Sequence, residues 1–254
     1  MANEFQDRTA LVTGASRGIG RAAAIALARA GAPKVLVHYN SHAAGIEETM
    51  AAVREAGAET SAFQADLAKV EGIHSLIALV KASGAAVDLL VNNAGSLVKR
   101  ARLAEYTDEL YDDVMNLNVR STWLLSQALA PGMIERGRGC IINLSSIAAR
   151  NGGGPGATIY AASKAAVAAI TKGLAKELAP KGVRVNAVSP GTVDNDFHVK
   201  FSNRQILDSV IAQTPAGTLG TNEEVADTIV FLCSHAARYI HGQTIEINGG
   251  MFMV

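Results

Sequence analysis

The chain has 254 residues, 49% of them hydrophobic and 18% charged, with 23 basic side chains against 23 acidic ones. That length suits one large α/β domain with a buried core, and the composition excludes a disordered chain. Balanced charge gives no electrostatic reason to expect nucleic acid or an anionic membrane, so the expected partner is a small molecule.

The opening stretch is polar and carries no apolar signal core. Residues 9–13 read as a first strand and 21–30 as the helix after it. A second strand is expected at 35–39 and a helix at 46–56, ended by Gly57. Then come a strand at 59–64, a helix at 73–82 and an apolar strand at 87–92. Residues 110–134 read as helical, allowing one break. The fifth strand is expected at 140–144, a long helix at 159–178 and the sixth strand at 183–188. A late helix at 223–234 and a last strand at 244–247 complete the order.

Short β-branched runs separated by helix-length segments indicate a parallel sheet covered on both faces. No linker or repeat marks a second domain, so residues 1–254 are expected to form a single doubly wound α/β domain. Residues 191–220 fit no strand-helix unit. Such a stretch is a functional loop or lid, or else an ordinary surface insertion. No apolar run approaches the ~20 residues of a membrane helix. Cys140 and Cys233 are far apart, flanked by apolar residues and without metal or redox spacing, which fits a reducing compartment. A cytoplasmic location is expected. The six histidines show no paired ligand spacing, and no metal site is expected.

Directly after the first strand comes Thr13-Gly14-Ala15-Ser16-Arg17-Gly18-Ile19-Gly20. Glycines there permit a tight turn, close approach of backbone to a pyrophosphate and close packing of helix on strand. The following helix turns its exposed amides and positive end toward the phosphates. A glycine triplet between a strand and a helix at the start of the chain is the context that identifies a dinucleotide site.

Tyr160 and Lys164 stand four apart, preceded by Ser145 and Ser146. On a helix, residues at that spacing share one face. A phenol titrates near ~10 and an ammonium near ~10.4 in water. The ammonium favours the phenolate, so the tyrosine pKa is expected to fall toward working pH, as carbonyl reduction or alcohol oxidation requires.

Together these motifs resemble the short-chain dehydrogenase/reductase family, almost end to end. Asp66-Leu67 resembles its adenine-contacting aspartate, and Asn92-Asn93-Ala94-Gly95 its turn after the fourth strand. Asn116-Leu117-Asn118-Val119 resembles its catalytic asparagine motif, and Ser145-Ser146 with Tyr160-Ala161-Ala162-Ser163-Lys164 its active site. Arg184 to Gly191, Gly242-Gln243-Thr244 and Asn248-Gly249-Gly250 match later signatures.

The resemblance implies a Rossmann fold, a nicotinamide cofactor, a homotetramer and an active site of Asn118, Ser146, Tyr160 and Lys164. Tyr160 would deliver the proton and Ser146 hold the substrate oxygen. Lys164 would bind nicotinamide-ribose hydroxyls and depress the tyrosine pKa, and Asn118 would support a water leading to solvent. Counting back thirteen residues from the tyrosine reaches Ile147, so residues 147–159 carry an extra residue, with Gly152 to Gly156 the place to absorb it. Reading forward from the fifth strand puts Ser146 in the catalytic position and makes Ser145 a tether.

Cofactor contacts are expected from Gly14, Ser16, Arg17, Gly18, Ile19, Gly20, Asp66, Leu67, Asn93, Ala94, Gly95, Tyr160, Lys164, Pro190, Gly191 and Val193. At the end of the second strand an acid would bind a ribose 2′-hydroxyl and repel a 2′-phosphate. Tyr39 stands there instead, followed by Asn40 and Ser41, with Arg17 able to meet a phosphate. NADP(H) is therefore expected ahead of NAD(H). Asn195 stands where the family has a nicotinamide-contacting threonine.

The whole pattern most resembles the 3-oxoacyl-carrier-protein reductase branch, although Thr218 replaces its arginine before Leu219-Gly220. The expected reaction is hydride transfer between NADP(H) and a ketone or β-ketoacyl group. A sugar or secondary-alcohol dehydrogenase of the same family is the alternative, and a non-catalytic NADP(H) sensor a remote one. Phe197, His198 and Phe201 either close over substrate or simply pack a helix. Arg136, Arg138 and Lys181 either complement helix ends or meet an acidic carrier protein.

Overall fold

In the computed structural model, described for residues 4–253, seven parallel strands form one sheet in the order β3-β2-β1-β4-β5-β6-β7. The first half comprises β1 (Thr9–Val12), α1 (Gly18–Arg29), β2 (Lys34–Tyr39), α2 (Ala43–Glu55), β3 (Glu59–Gln64), α3 (Val70–Ala82) and β4 (Val87–Asn92). Then follow α4 (Asp108–Met115), α5 (Ser121–Glu135), β5 (Gly139–Leu144), the short α6 (Ala148–Asn151), α7 (Thr158–Leu178) and β6 (Val183–Pro190). Finally come α8 (Asp196–Phe201), α9 (Arg204–Gln213), α10 (Asn222–Cys233) and β7 (Thr244–Ile247).

Strand alternation explains the two cores. Val12, Val35, Val37 and Ile142 pack on one face with Leu27 of α1 and Ile229 of α10. Leu11, Leu36, Leu90 and Ile141 pack on the other with Ile73 of α3 and Leu125 of α5. Neighbouring residues thus enter opposite cores, as the two-residue period of a strand dictates. The expected doubly wound sheet is present, and its order reverses between β1 and β4. At such a switch point a crevice opens beyond the carboxyl ends of the strands.

The helical stretch expected at 110–134 carries one break. One π-helical turn, Asn116–Arg120, joins α4 to α5. Residues 191–220 hold two helices that no strand-helix pattern announced. Asn203 caps α9, its side chain accepting from the Ile206 amide. Among the described residues no helix is long and apolar enough to cross a membrane.

Candidate active site

A cleft of about 790 Å³ runs from the glycine loop, across the ends of β1, β4 and β5, to α8 and α9. Gly14, Ser16, Arg17, Gly18, Ile19 and Gly20 line one end. Gly14 and Gly18 have φ of +64° and +58°, a region side chains rarely enter. A Cβ on Gly20 would stand 2.3 Å from the Gly14 carbonyl oxygen, so only glycine lets α1 begin this close to the loop. That helix has no side-chain cap, which leaves the amides of its first turn facing the cleft.

Thr13 and Asn93 stitch this loop to the turn after β4. The Thr13 hydroxyl oxygen accepts from the Asn93 and Ala94 amides, both at 3.0 Å. The Asn93 side-chain amide donates to the Thr13 carbonyl at 2.8 Å and the Gly14 carbonyl at 3.1 Å. Asp66 and Leu67 also line the cleft, Asp66 accepting from the Ala68 amide at 3.0 Å and from Asn40 at 3.3 Å.

At the far end α7 presents Tyr160 and Lys164 one turn apart, as their spacing requires. The Ser146 hydroxyl stands beside the Tyr160 hydroxyl, where it favours the phenolate. Ser146 accepts from the Ala148 amide at 3.1 Å. Ser145 turns the other way and donates to the Lys164 carbonyl at 2.9 Å. The Lys164 ammonium donates to the Leu144 carbonyl at 2.7 Å and lies 5.7 Å from the centre of the Tyr160 ring.

The electrostatics correct the expectation for this pair. Burial pushes the Tyr160 pKa up to about 12, the Ser146 hydroxyl acting in the opposite direction. Burial also lowers Lys164 to about 8. Stripping water from both groups disfavours phenolate and ammonium alike. The phenol is therefore a firmly protonated group.

One further placement departs from expectation, and two expected residues carry additional bonds. Tyr39 is not among the residues lining the cleft; it packs against the core beside α2, while Asn40, Ser41 and His42 line the cleft. The Asn118 side chain is bonded to its surroundings. Its amide nitrogen donates to the Ser96 and Val114 carbonyls at 2.9 and 2.8 Å, and its oxygen accepts from the Ser96 amide at 3.2 Å. One lone pair of Oδ1 remains as the side chain's free acceptor. Asn195 lines the cleft, but it donates to Asn222 at 3.1 Å and accepts from the Phe197 amide at 3.1 Å.

Pro190, Gly191 and Val193 do line the cleft, as do Ala94 and Gly95. A Cβ on Gly95 would meet Asn118 Oδ1 at 2.7 Å and Lys164 Nζ at 2.8 Å. This glycine keeps the wall beside the ammonium thin. Arg17 is 3.7 Å from Asp196 across the cleft mouth. Phe197 stacks toward Tyr160 with ring centres 5.9 Å apart, and Phe201 toward Phe197 at 5.0 Å. The side chain of His198 lies outside the described residues.

Arg21, Asn143 and Thr171 contribute without belonging to any motif. Arg21 donates to the Ser16 and Gly45 carbonyls at 2.8 and 2.9 Å, bracing the glycine loop from α1. Beneath the catalytic end, Asn92 donates to Asn143 at 2.9 Å and Asn143 to Thr171 at 2.9 Å, a buried polar row tying β4, β5 and α7. Asparagines inside otherwise apolar strands were the available signal for it.

A family model described as enoyl-(acyl carrier protein) reductase matches residues 14–252. The chain is 39% identical over 247 residues to the 3-oxoacyl-(acyl-carrier-protein) reductase FabG of Staphylococcus epidermidis, covering 97% of this chain and 100% of that one. It is 37% identical over 251 residues to the Escherichia coli protein of the same name, covering 98% and 99%. A solved structure from Beutenbergia cavernae, a putative NAD(P)-dependent gluconate 5-dehydrogenase with NADP at low occupancy, superposes with a TM-score of 0.90. That match has 36% identity and covers 99% of both chains.

Proposed function

The chain belongs to the short-chain dehydrogenase/reductase family, and from that membership we propose that it is an NADP(H)-dependent reductase of β-ketoacyl groups. One observation carries the direction of the chemistry. The Tyr160 hydroxyl, held protonated by burial and set beside Ser146, stands at the end of a cleft that begins at the glycine loop.

The glycine loop, the uncapped start of α1 and the thin wall at Gly95 fit a dinucleotide. Bound NADPH would supply the hydride. Tyr160 gives its proton to the substrate carbonyl oxygen as negative charge develops there, and Ser146 directs a second donor at the same oxygen. Lys164, anchored on Leu144, presents a cation to the nicotinamide-ribose hydroxyls. Asn118 fixes Ser96 and so the wall beside Lys164, and its remaining Oδ1 lone pair can accept from a water there. Arg17, Asn40 and Ser41, with no carboxylate at the end of β2, favour a 2′-phosphate; the NADP of the Beutenbergia relative supports the same choice.

The substrate end separates this reading from the gluconate dehydrogenase one. Leu97, Val98, Phe197, Ile206, Leu207 and Met251 line it, a surface suited to an acyl chain. Arg100, the cation there, donates from Nε and Nη1 to the Phe201 and Pro155 carbonyls, both at 2.9 Å. Two nitrogens of its fork are thus taken before any sugar carboxylate arrives.

An acyl carrier protein as substrate donor follows from the same relatives. Arg136 and Arg138 are both ion-paired to Asp88, and Arg138 also to Asp7, which supports a structural role for them over carrier binding. The same reading includes a cytoplasmic homotetramer, supported by part-exposed Tyr111 and Trp123 on α4 and α5. Light scattering that finds a stable monomer overturns the tetramer. Following NADPH consumption with acetoacetyl thioester against gluconate with NADP tests the substrate; turnover of gluconate alone overturns the β-ketoacyl reading.

A further inference from the structure

His38 sits one residue before the end of β2 and is 2% exposed, yet it is among the residues lining the cleft. Its Nδ1 accepts from the Gly14 amide at 3.1 Å, and its Nε2 lies 3.0 Å from the Ala65 carbonyl oxygen. A ring nitrogen that faces an N–H accepts, and one that faces a carbonyl donates. The two partners therefore fix the neutral tautomer with its proton on Nε2. The His38 main-chain carbonyl accepts the next amide of the loop, Ala15, at 2.9 Å.

One residue thus occupies two consecutive amides of the glycine loop and divides it. The Gly14 and Ala15 amides are spent on protein, which leaves the later loop and the uncapped first turn of α1 to face a pyrophosphate. Gly14 is held from both sides, since its carbonyl accepts from Asn93. The Ala65 bond reaches the turn that carries Asp66 at the same cleft.

We propose that His38 is a positioning residue for the dinucleotide: its imidazole, acting as acceptor toward Gly14, sets the glycine loop in its phosphate-binding shape. The inference rests on the dinucleotide reading of the cleft. Burial supports it by keeping the ring neutral, with a pKa lowered to about 4 against the opposing influences of the Ala65 carbonyl and the Asp66 carboxylate.

The test is titration of the full-length protein with NADPH, followed by nicotinamide fluorescence, with melting temperatures measured in parallel. His38→Asn keeps an acceptor at the Nδ1 position and falls short of Ala65. His38→Gln reaches toward Ala65 without that acceptor, and His38→Leu has neither group. The expected result is that the asparagine variant binds within about threefold of the native protein. The glutamine and leucine variants bind about tenfold more weakly, the effect of one well-placed hydrogen bond.

At saturating NADPH their kcat stays within about twofold of native, since the reacting groups are untouched. Affinity that follows melting temperature across the variants, rather than the Gly14 acceptor, overturns the proposal. So does a leucine variant that binds like the native protein. If the leucine variant does not fold, the contrast between asparagine and glutamine decides. A native protein that binds neither NADPH nor NADH removes the cofactor reading itself, and this inference with it.

Discussion

Lys164 donates its ammonium proton to the Leu144 carbonyl at 2.7 Å, so the cation of the site is anchored to the end of β5. Its pKa is lowered to about 8 by burial. The charged form dominates below that value and is lost as pH rises through it. Because kcat/KM reports groups in the free enzyme, carbonyl reduction is expected to fall as pH passes about 8. Replacing the side chain by methionine removes the titration and costs about a hundredfold or more in kcat/KM. A pH–rate profile of both proteins checks this.

The serine pair divides its work. Ser146→Ala removes the hydroxyl beside Tyr160 and is expected to lower kcat by about a hundredfold, with NADPH affinity unchanged. Ser145→Ala leaves the Lys164 carbonyl without that donor, costs about 1 kcal/mol of stability and retains most turnover. Steady-state kinetics with denaturant unfolding separates the two; the reverse pattern would reassign the catalytic serine.

Gly95→Ala is a subtler probe. The new Cβ would press on Asn118 Oδ1 and Lys164 Nζ, at 2.7 and 2.8 Å, without demanding an unusual backbone conformation. A loss of about tenfold or more in kcat/KM with a native-like melting curve is expected, since a small displacement of a catalytic cation is costly.

Arg17 tests the cofactor choice. Arg17→Ala is expected to raise the NADPH KM about tenfold, the worth of one charge-assisted contact, and to leave the NADH KM nearly unchanged. Competing the two cofactors measures it, and a native preference for NADH would contradict the assignment.

Acid stability follows from His38. Its pKa is about 4 in the folded chain against 6.5 unfolded, so between those values the unfolded state binds the extra proton. Stability from this group is complete above pH 6.5 and is lost as pH falls toward 4, by on the order of 3 kcal/mol. Urea unfolding from pH 7 to 4.5 should show a smaller acid loss in His38→Asn than in the native chain.

The sheet and the glycine loop were readable because their signals are local: β-branched runs, and glycines lying between a strand and a helix. Ser146 could be placed by counting forward from β5. What was hidden depends on partners distant in the chain. His38 meets Gly14 only through the pairing of β2 with β1. Tyr39 leaves the cleft because adjacent strand residues face opposite sides. The direction of the Tyr160 shift could not be read from charges, since burial decided it. Within residues 191–220, helix α9 has one local mark in the sequence, the Asn203 cap.

The central claim is that the protonated Tyr160 phenol completes the reduction of a carbonyl. NADPH oxidation in the presence of acetoacetyl thioester, followed for the native chain and Tyr160→Phe, tests it most directly. The account predicts rapid consumption by the native protein and a fall of about a thousandfold or more in the variant, with NADPH affinity intact. A phenylalanine variant that keeps substantial turnover at every pH would contradict it.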